Sequence, residues 1–319
     1  MIYANATAAP REELTDYVME SVTNNGMFIG AEVLPAVPLR LPTGHYPKIT
    51  IATGDLMRAA SATRAPGAGF NRTQAAVDAG DLTLLQYAEE LQIPDEQQML
   101  YSDYFDLEQV YSLESKNKVQ RMHETLVAGQ IFNTGNFAAT AAAVAYTTAN
   151  LATISFVNDV LAAIRRVKAK GEVPNTIILS DTLYDRIRVA TLVQAYVAGA
   201  NQPGAVVDAN TIQRAFAENG IKKVYIAASY VNLSAPGASD VISAVWSNTY
   251  FFVGNVMPGQ LRAGGIGRTF FWEKEGPLFN ISSYRDEPKK SNIIRAMSTL
   301  QAAITNNRCG TLVTTSWTA

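Results

Sequence analysis

The stretch "ATRAPGAGFNR", residues 62–72, constrains this chain more than any other. It holds Arg64, Arg72, Pro66, Gly67 and Gly69 and no acid, and it lies between two runs that read as strands. Upstream, AEVLPAVPLRLPTGHYPKIT carries prolines at 35, 38, 42 and 47, which forbid a helix and suit an extended segment running over a surface. YPKITIA then reads as a strand. Downstream, VDAGDLTLLQYAEELQIP reads as a second, longer strand, with partial alternation at Leu82, Leu84, Gln86 and Ala88. Together they predict a long hairpin with a broad loop at its end. Strands of about 12 residues reach about 40 Å at roughly 3.3 Å per residue. A compact globule of this length has a radius of gyration of only about 20 Å. A polar, glycine-rich tip has little to bury against its own body, so the hairpin reads as an arm that leaves it.

Charge along the arm sharpens this expectation. Between Met57 and Gln74 there are three arginines (Arg58, Arg64, Arg72) and no acid. Between Thr73 and Ser115 there are ten acids, among them Asp95, Glu96, Asp103, Asp106 and Glu108, and no lysine or arginine. A tip held away from its own body meets the acidic region of a neighbour more readily than its own. Head-to-tail contacts of this kind close into rings, and the charge pairing supplies register and steering more than raw affinity.

The remaining sequence excludes more than it selects. With 319 residues there is room for one large domain or two ordinary ones. Only 17% of residues are charged, below the usual quarter, which points to a surface partly covered by partners. A net charge of −2 argues against a dedicated nucleic-acid binder. The single cysteine, Cys309, rules out an intramolecular disulfide and reads as a small near-core residue. No signal-peptide pattern and no run of about 18 apolar residues is present, so a cytosolic origin is expected.

Local signals give the order of elements. A short helix is expected over Glu12–Ser21, stopped by Asn24-Asn25-Gly26. The longest helical signal runs over 102–132, capped by Ser102 or Asp103, with acids first and Lys116, Lys118 and Arg121 later, as the helix dipole favours. Val119, Met122 and Leu126 keep helical spacing, which Ser115-Lys116-Asn117-Lys118 interrupts. A second helix, FVNDVLAAIRRVKAKG, ends at Gly171. The chain then turns α/β: NTIILS as a buried strand, helices opened by Asp181 and Asp208, then strands at KVYIA, VISAVWS, TYFFVGN, RTFFWE and LFNISSYRD. Two more strand-like runs follow.

No constellation for catalysis emerges. His123-Glu124 opens like a zinc-protease motif, but the fifth residue is Val127, so the second ligand is missing. The other histidine, His45, lies in a Pro/Gly-rich loop, and no metal site or cofactor is expected. Ser115-x-x-Lys118 lacks the companion elements of a serine acyl-enzyme. RAGGIGR (262–268) opens no helix after a strand and is turn chemistry rather than a phosphate loop.

The order of parts and several phrases carry a resemblance across nearly the whole chain. The phrases are the RAPG tip, "YAEELQIPDEQ", "NTIILSDTLYDRIR", "FAENGIKKVYIAASYVN", "VWSNTYFFVGN" and "FFWEKEGPLFNISSYRDEPKKSNIIRAMSTLQAAITN". The sequence resembles the tailed-bacteriophage major capsid proteins of the HK97-like fold. The resemblance implies an α+β chain with an N-arm (1–37), an extended hairpin E-loop with flanking strands (38–96), and a P domain with a spine helix near 102–132 (97–174). It further implies an A domain (175–283) and a return of 284–319 to the P domain. It implies a non-enzymatic shell protein of the virion, made in the bacterial cytoplasm. Its copies form hexamers and pentamers around packaged double-stranded DNA, with separate scaffolding, portal and decoration proteins as partners and no membrane. Arg58, Arg64 and Arg72 then face a neighbour's Asp95, Glu96, Asp103, Asp106 and Glu108, and Ser115 and Asn117 mark a bend in the spine helix. Some relatives crosslink a loop lysine to a neighbour's asparagine. Here the tip carries arginines, which stay protonated at neutral pH, and Lys48 sits at the arm's base, so no crosslink is expected. An encapsulin-type compartment and a soluble α/β enzyme with a hairpin lid are the competing readings.

Overall fold

The computed structural model describes residues 9–10, 14–15, 27–49, 66–69, 77–101, 106–198, 207–235, 237–259 and 264–317. Along the chain come β1 (Ala9–Pro10), α1 (Gly30–Val33), β2 (Ala36–Leu39), β3 (Thr43–Ile49), β4 (Val77–Thr83), β5 (Leu85–Pro94), α2 (Asp95–Tyr101) and the long helix α3 (Leu107–Ile131). Then follow β6 (Ala139–Ala141), α4 (Phe156–Lys168), β7 (Thr176–Ser180), α5 (Asp181–Val189), α6 (Thr191–Ala198), α7 (Ala209–Phe216), β8 (Lys223–Ala227), β9 (Tyr230–Asn232) and β10 (Ile242–Ala244). The chain closes with β11 (Tyr250–Gly254), β12 (Gly267–Trp272), β13 (Asn280–Asp286), β14 (Ser291–Ile304) and β15 (Gly310–Thr314).

These strands make two main sheets. The first runs β1-β13-β14-β12-β2, with β5 also paired to β14. Its axis is β14, which takes β5 along Ser291–Leu300, β13 along Ser291–Met297 and β12 along Leu300–Ile304, all antiparallel. Helix α3 lies against β14 and β5. The second sheet runs β6-β15-β11-β7-β8 and is buried on both faces. Side chains that alternate along a strand point to opposite faces. Ile177, Leu179, Phe251, Val253 and Val313 therefore pack under α4, α5, α6 and α7, while Ile178, Phe252 and Leu312 pack on the other face against Trp246 and the end of α3. This two-sided burial is why NTIILS and TYFFVGN read as near-continuous apolar runs.

Capping explains several boundaries. The Asp106 carboxylate, rather than the expected Ser102 or Asp103, caps α3: it accepts from the Glu108 and Gln109 amides, and the helix starts at Leu107 instead of near 102. The Asp208 carboxylate accepts from Thr211 and starts α7. The cap of α5 is Ser180, whose hydroxyl accepts from Leu183 at 3.4 Å, and Asp181 is the first helical residue rather than the cap.

Four sequence expectations are revised. The strand expected over 77–94 divides at Leu84: β4 pairs with β3, whereas β5 joins the body sheet on β14. Helix α4, placed by sequence with the long helix in 97–174, packs on β15 and β11 of the second sheet, because its apolar face matches that core. β12 and the strand that contains 283 belong to the first sheet, so the 175–283 unit does not close on itself. The segment 284–319 divides too, with β14 in the first sheet and β15 inserted between β6 and β11 of the second. Of the helix expected over 12–21, Leu14 and Thr15 are helical and the rest lies outside the described residues.

Gly254 and Gly310 face each other across the β11–β15 ladder. A Cβ on either would run into the Phe252 ring, which itself packs edge-on to Phe137 at 5.0 Å. Gly254→Ala or Gly310→Ala overfills this site and is expected to cost about 1–3 kcal/mol. The measurement is the denaturant midpoint at unchanged slope.

Candidate assembly surface

β3 and β4 form a two-stranded sheet of their own, in register from Thr43↔Thr83 to Ile49↔Val77. Among the described residues, its base is held by the body. The Leu84 amide donates to Pro42 O at 2.9 Å, and the Thr83 amide to Gln301 Oε1 at 2.7 Å. The Tyr46 ring lies 5.7 Å from that of Phe270, and Leu82 and Leu84 are buried with Phe270 and Ala303. Beyond this base most side chains of the ribbon are exposed, as are residues 66–69 of the tip. His45 and Asp81 pair across the ribbon at 3.0 Å, in solvent. Arg58, Arg64 and Arg72 lie outside the described residues, as does Asp103.

The acidic region at the arm's base is partly neutralised within the chain. Arg285 on β13 holds Asp95 through both guanidinium nitrogens, at 2.5 and 2.6 Å. That hydrogen bonding keeps the Asp95 carboxyl below its ordinary value and raises the Arg285 guanidinium. Glu90 accepts from Arg295 at 2.6 Å and from the Tyr284 hydroxyl at 3.2 Å. Glu89 meets Lys118 of α3 at 2.6 Å. Asp95 therefore has a partner in its own subunit, which the sequence did not anticipate. The Asp95–Arg285 pair spans 190 residues, and nothing local announces it. Glu96 is exposed on α2, a helix that buries none of its residues, and Asp106 is exposed at the start of α3, with Glu108 half-buried beside it.

Beneath the surface, α3 buries polar residues beside the apolar ones that pack on the first sheet. Ser112, Ser115, Lys116, Gln120, His123 and Glu124 are all buried. The helix runs unbroken through Ser115-Lys116-Asn117-Lys118. Ser115 and Lys116 thus interrupt the apolar stripe from inside the interface rather than from solvent. Burial pushes the Lys116 ammonium down to about 8. His123 contacts the Thr269 hydroxyl at 3.1 Å and the edge of Phe279, and burial lowers it to about 4.

Glu124 is the residue the sequence reading missed. Its carboxylate accepts from the Ile29 amide at 3.1 Å, the Gly30 amide at 2.6 Å and the Trp246 indole N–H at 2.6 Å. Burial raises its pKa, and the three donors oppose that rise. The available signal was spacing: Glu124, Val127 and Ile131 fall on one helix face, and both apolar members are buried.

Along the outer side of α3, a cleft of about 260 Å³ opens between Tyr87, Glu89, Lys118 and Met122. A second, of about 310 Å³, lies between Arg121, Met122, Val231 and Asn232. Neither gathers a nucleophile, a general base and an electrophilic donor. Among the described residues no group of three or more His, Cys, Asp or Glu side chains converges, and no helix is long and apolar enough to cross a membrane.

No family model matches the sequence, and no curated protein matches it either. Solved structures do. A phage-related protein from Bordetella bronchiseptica is similar at a TM-score of 0.68 and 17% identity, over 97% of this chain and 98% of that one. The capsid of a native GTA particle gives 0.56 and 13%, over 92% and 91%. A virus-like particle from Pyrococcus furiosus gives 0.58 and 10%, over 95% and 98%. The fold is the HK97-like capsid fold.

Three variants test the buried polar groups of α3. Glu124→Gln turns one accepting oxygen into a donor that faces other donors, and is expected to destabilise by about 1–3 kcal/mol, read from the denaturant midpoint. Glu124→Asp tests reach, since a shorter carboxylate cannot span all three donors. For His123 the folded pKa, about 4, lies below its ordinary 6.5, so stability is lost as pH falls through that window. Glu124, raised by burial, contributes with the opposite sign. His123→Gln is therefore expected to flatten the loss of stability between neutral pH and the folded pKa by about 2–3 kcal/mol.

Proposed function

We propose that this chain is a phage major capsid protein, whose copies form hexamers and pentamers that close into an icosahedral shell around packaged double-stranded DNA. The observation that carries the reading is the arm. Among the described residues, a ribbon that forms its own sheet and is held by the body at its base exposes most of its side chains in the single chain, and gains a partner in an assembly. The solved structures of like fold support it, since two of them are named as a capsid and a virus-like particle. In this reading residues 1–37 are the N-arm and 38–96 the E-loop with its flanking strands, which lend β1, β2 and β5 to the first sheet; the rest of that sheet with α3 is the P domain, and the second sheet with its helices is the A domain. The chain catalyses no reaction and works with separate scaffolding, portal and decoration proteins.

The arm's tip clasps a neighbour. Arg58, Arg64 and Arg72 meet the acidic surface at the start of α3, where Glu96, Asp106 and Glu108 stand, with Asp103 the further acid that the sequence supplies; Asp95 drops out of this set because Arg285 already holds it. Ser115 and Asn117 are the place where α3 bends as the shell matures. Electron microscopy with sedimentation of the chain expressed alone is expected to show closed shells or capsomer rings. A strictly monomeric protein at high concentration would favour the lid reading instead. Replacing Arg58, Arg64 and Arg72 by Glu is expected to leave a folded subunit that forms no shells. Shells of ordinary stability from that variant at physiological salt would sink the clasp.

A further inference from the structure

The run RRVKAK, residues 165–170, places four cations within six residues. It forms the last turn of α4 and the turn beyond it. Arg165 and Lys168 are exposed, one turn apart on one helix face, with Arg166 and Lys170 half-buried beside them. The Lys170 ammonium donates to Gly310 O at 2.9 Å, which brings the run against the turn before β15. In that turn Arg308, its side chain 13% exposed, reaches Glu172 Oε1 through Nη2 at 3.2 Å. Its Nε and Nη1, and Nη1 of Arg166, are buried without an acceptor among the described residues.

Negative charge is scarce at this place. The acids that face the cluster are Glu172, which also accepts from Asn306, and Asp159. The Asp159 oxygens are occupied by the Ala143 amide and the Tyr146 hydroxyl. Burial pushes the Cys309 thiol up to about 12, so it adds no charge at neutral pH. A helix C-terminus attracts cations, but its dipole is equivalent to only about half a charge. Arg165, Arg166, Lys168, Lys170 and Arg308 exceed that need.

We propose that the end of α4, with Arg308, binds the phosphodiester backbone of nucleic acid. The inference rests on the reading of the chain as the wall of a DNA-filled shell and names the surface that touches the contents. Arg165 and Lys168 make the direct contacts, and the half-buried cations supply field behind them. Guanidinium forks and ammonium groups fit phosphate oxygens. Such contacts position the duplex without reading its sequence, which agrees with a protein whose net charge is near neutral and whose hold on DNA is local.

The test uses full-length protein and a labelled duplex of about 20 base pairs, with anisotropy followed from roughly 50 mM salt upward. The double variant Arg165→Gln/Lys168→Gln, both exposed positions, is expected to lower affinity about tenfold and to make the salt slope shallower by about 1–2. A charge-matched control, Lys274→Gln/Lys289→Gln, is expected to change affinity less than about twofold by the same counterion logic. Equal losses in both doubles, or no binding by the parent protein, would overturn the proposal. Full displacement of DNA by inorganic phosphate at fixed ionic strength would overturn it in favour of a small-anion site. Thermal melts of each variant separate loss of binding from loss of fold. Shell formation, scored independently by electron microscopy, separates this inference from the capsid reading: intact shells with lost DNA binding support the site, and shells that never form speak against the reading beneath it.

Discussion

A single buried carboxylate ties together three parts of the chain that are far apart in sequence. Glu124 on α3 accepts from the backbone just before and at the start of α1 and from Trp246 of the α/β region, bonds that span 94 to 122 residues. A buried charge persists only when its oxygens are satisfied, and here all the donors come from outside the helix. The contact also fixes what stands opposite: a Cβ on Gly30 would lie 2.6 Å from the Glu124 carboxylate. Once Gly30 is pinned, β2 leaves α1 in position to run parallel to β12, and the arm emerges from the next turn.

The same helix meets its sheet through an apolar cluster with buried polar groups beside it. Ser112, Ser115, Lys116, Gln120 and His123 are buried there, and Ser282, Ser298 and Thr299 are buried on the strands of that sheet. Several of these groups, including Gln120 Oε1, Ser282 Oγ and Thr299 Oγ1, find no acceptor or donor among the described residues. Each unsatisfied polar atom costs free energy that an apolar pair would not. The second sheet is the contrast, with Phe251, Phe252, Ile177 and Ile178 closely packed on both faces. The seam under α3 is therefore mixed: Leu107 and Val119 pack with Ile93, Ile281, Ile294 and Leu300, while the polar groups are buried beside them, whereas the second sheet is apolar on both faces.

Charge is distributed by a similar logic. The acidic approach to α3 is not left bare: Arg285, Arg295 and Lys118 meet Asp95, Glu90 and Glu89. Without such a partner among the described residues, Glu96 and Asp106 stand exposed on α2 and at the start of α3, and Glu114 stands further along the helix. Exposed ion pairs contribute little to stability, so these contacts set which charges remain available to a partner.

Much of this was legible from the residues alone. Prolines at 38, 42 and 47 and the glycine-rich tip required an arm, because extended segments and turns are dictated by a few neighbouring residues. The long helix, the Asp208 cap and the two-sided apolar strands were legible for the same reason: helical spacing and alternation repeat within one element. Of the candidate site, the sequence supplied the basic tip and the acidic base as clusters, but not their partners. Strand pairing was hidden, since β4 and β5 are one apolar-polar run that divides only because Leu84 turns from the ribbon to the body sheet. So was the parting of β14 and β15 into different sheets. Asp95 and Glu124 look alike in sequence, as acids near helical segments; one is clasped by an arginine 190 residues away, and the other is buried under an indole 122 residues away. Local chemistry fixes which element forms and where it stops, whereas pairing and burial are decided by contacts that exist only once the chain has closed on itself.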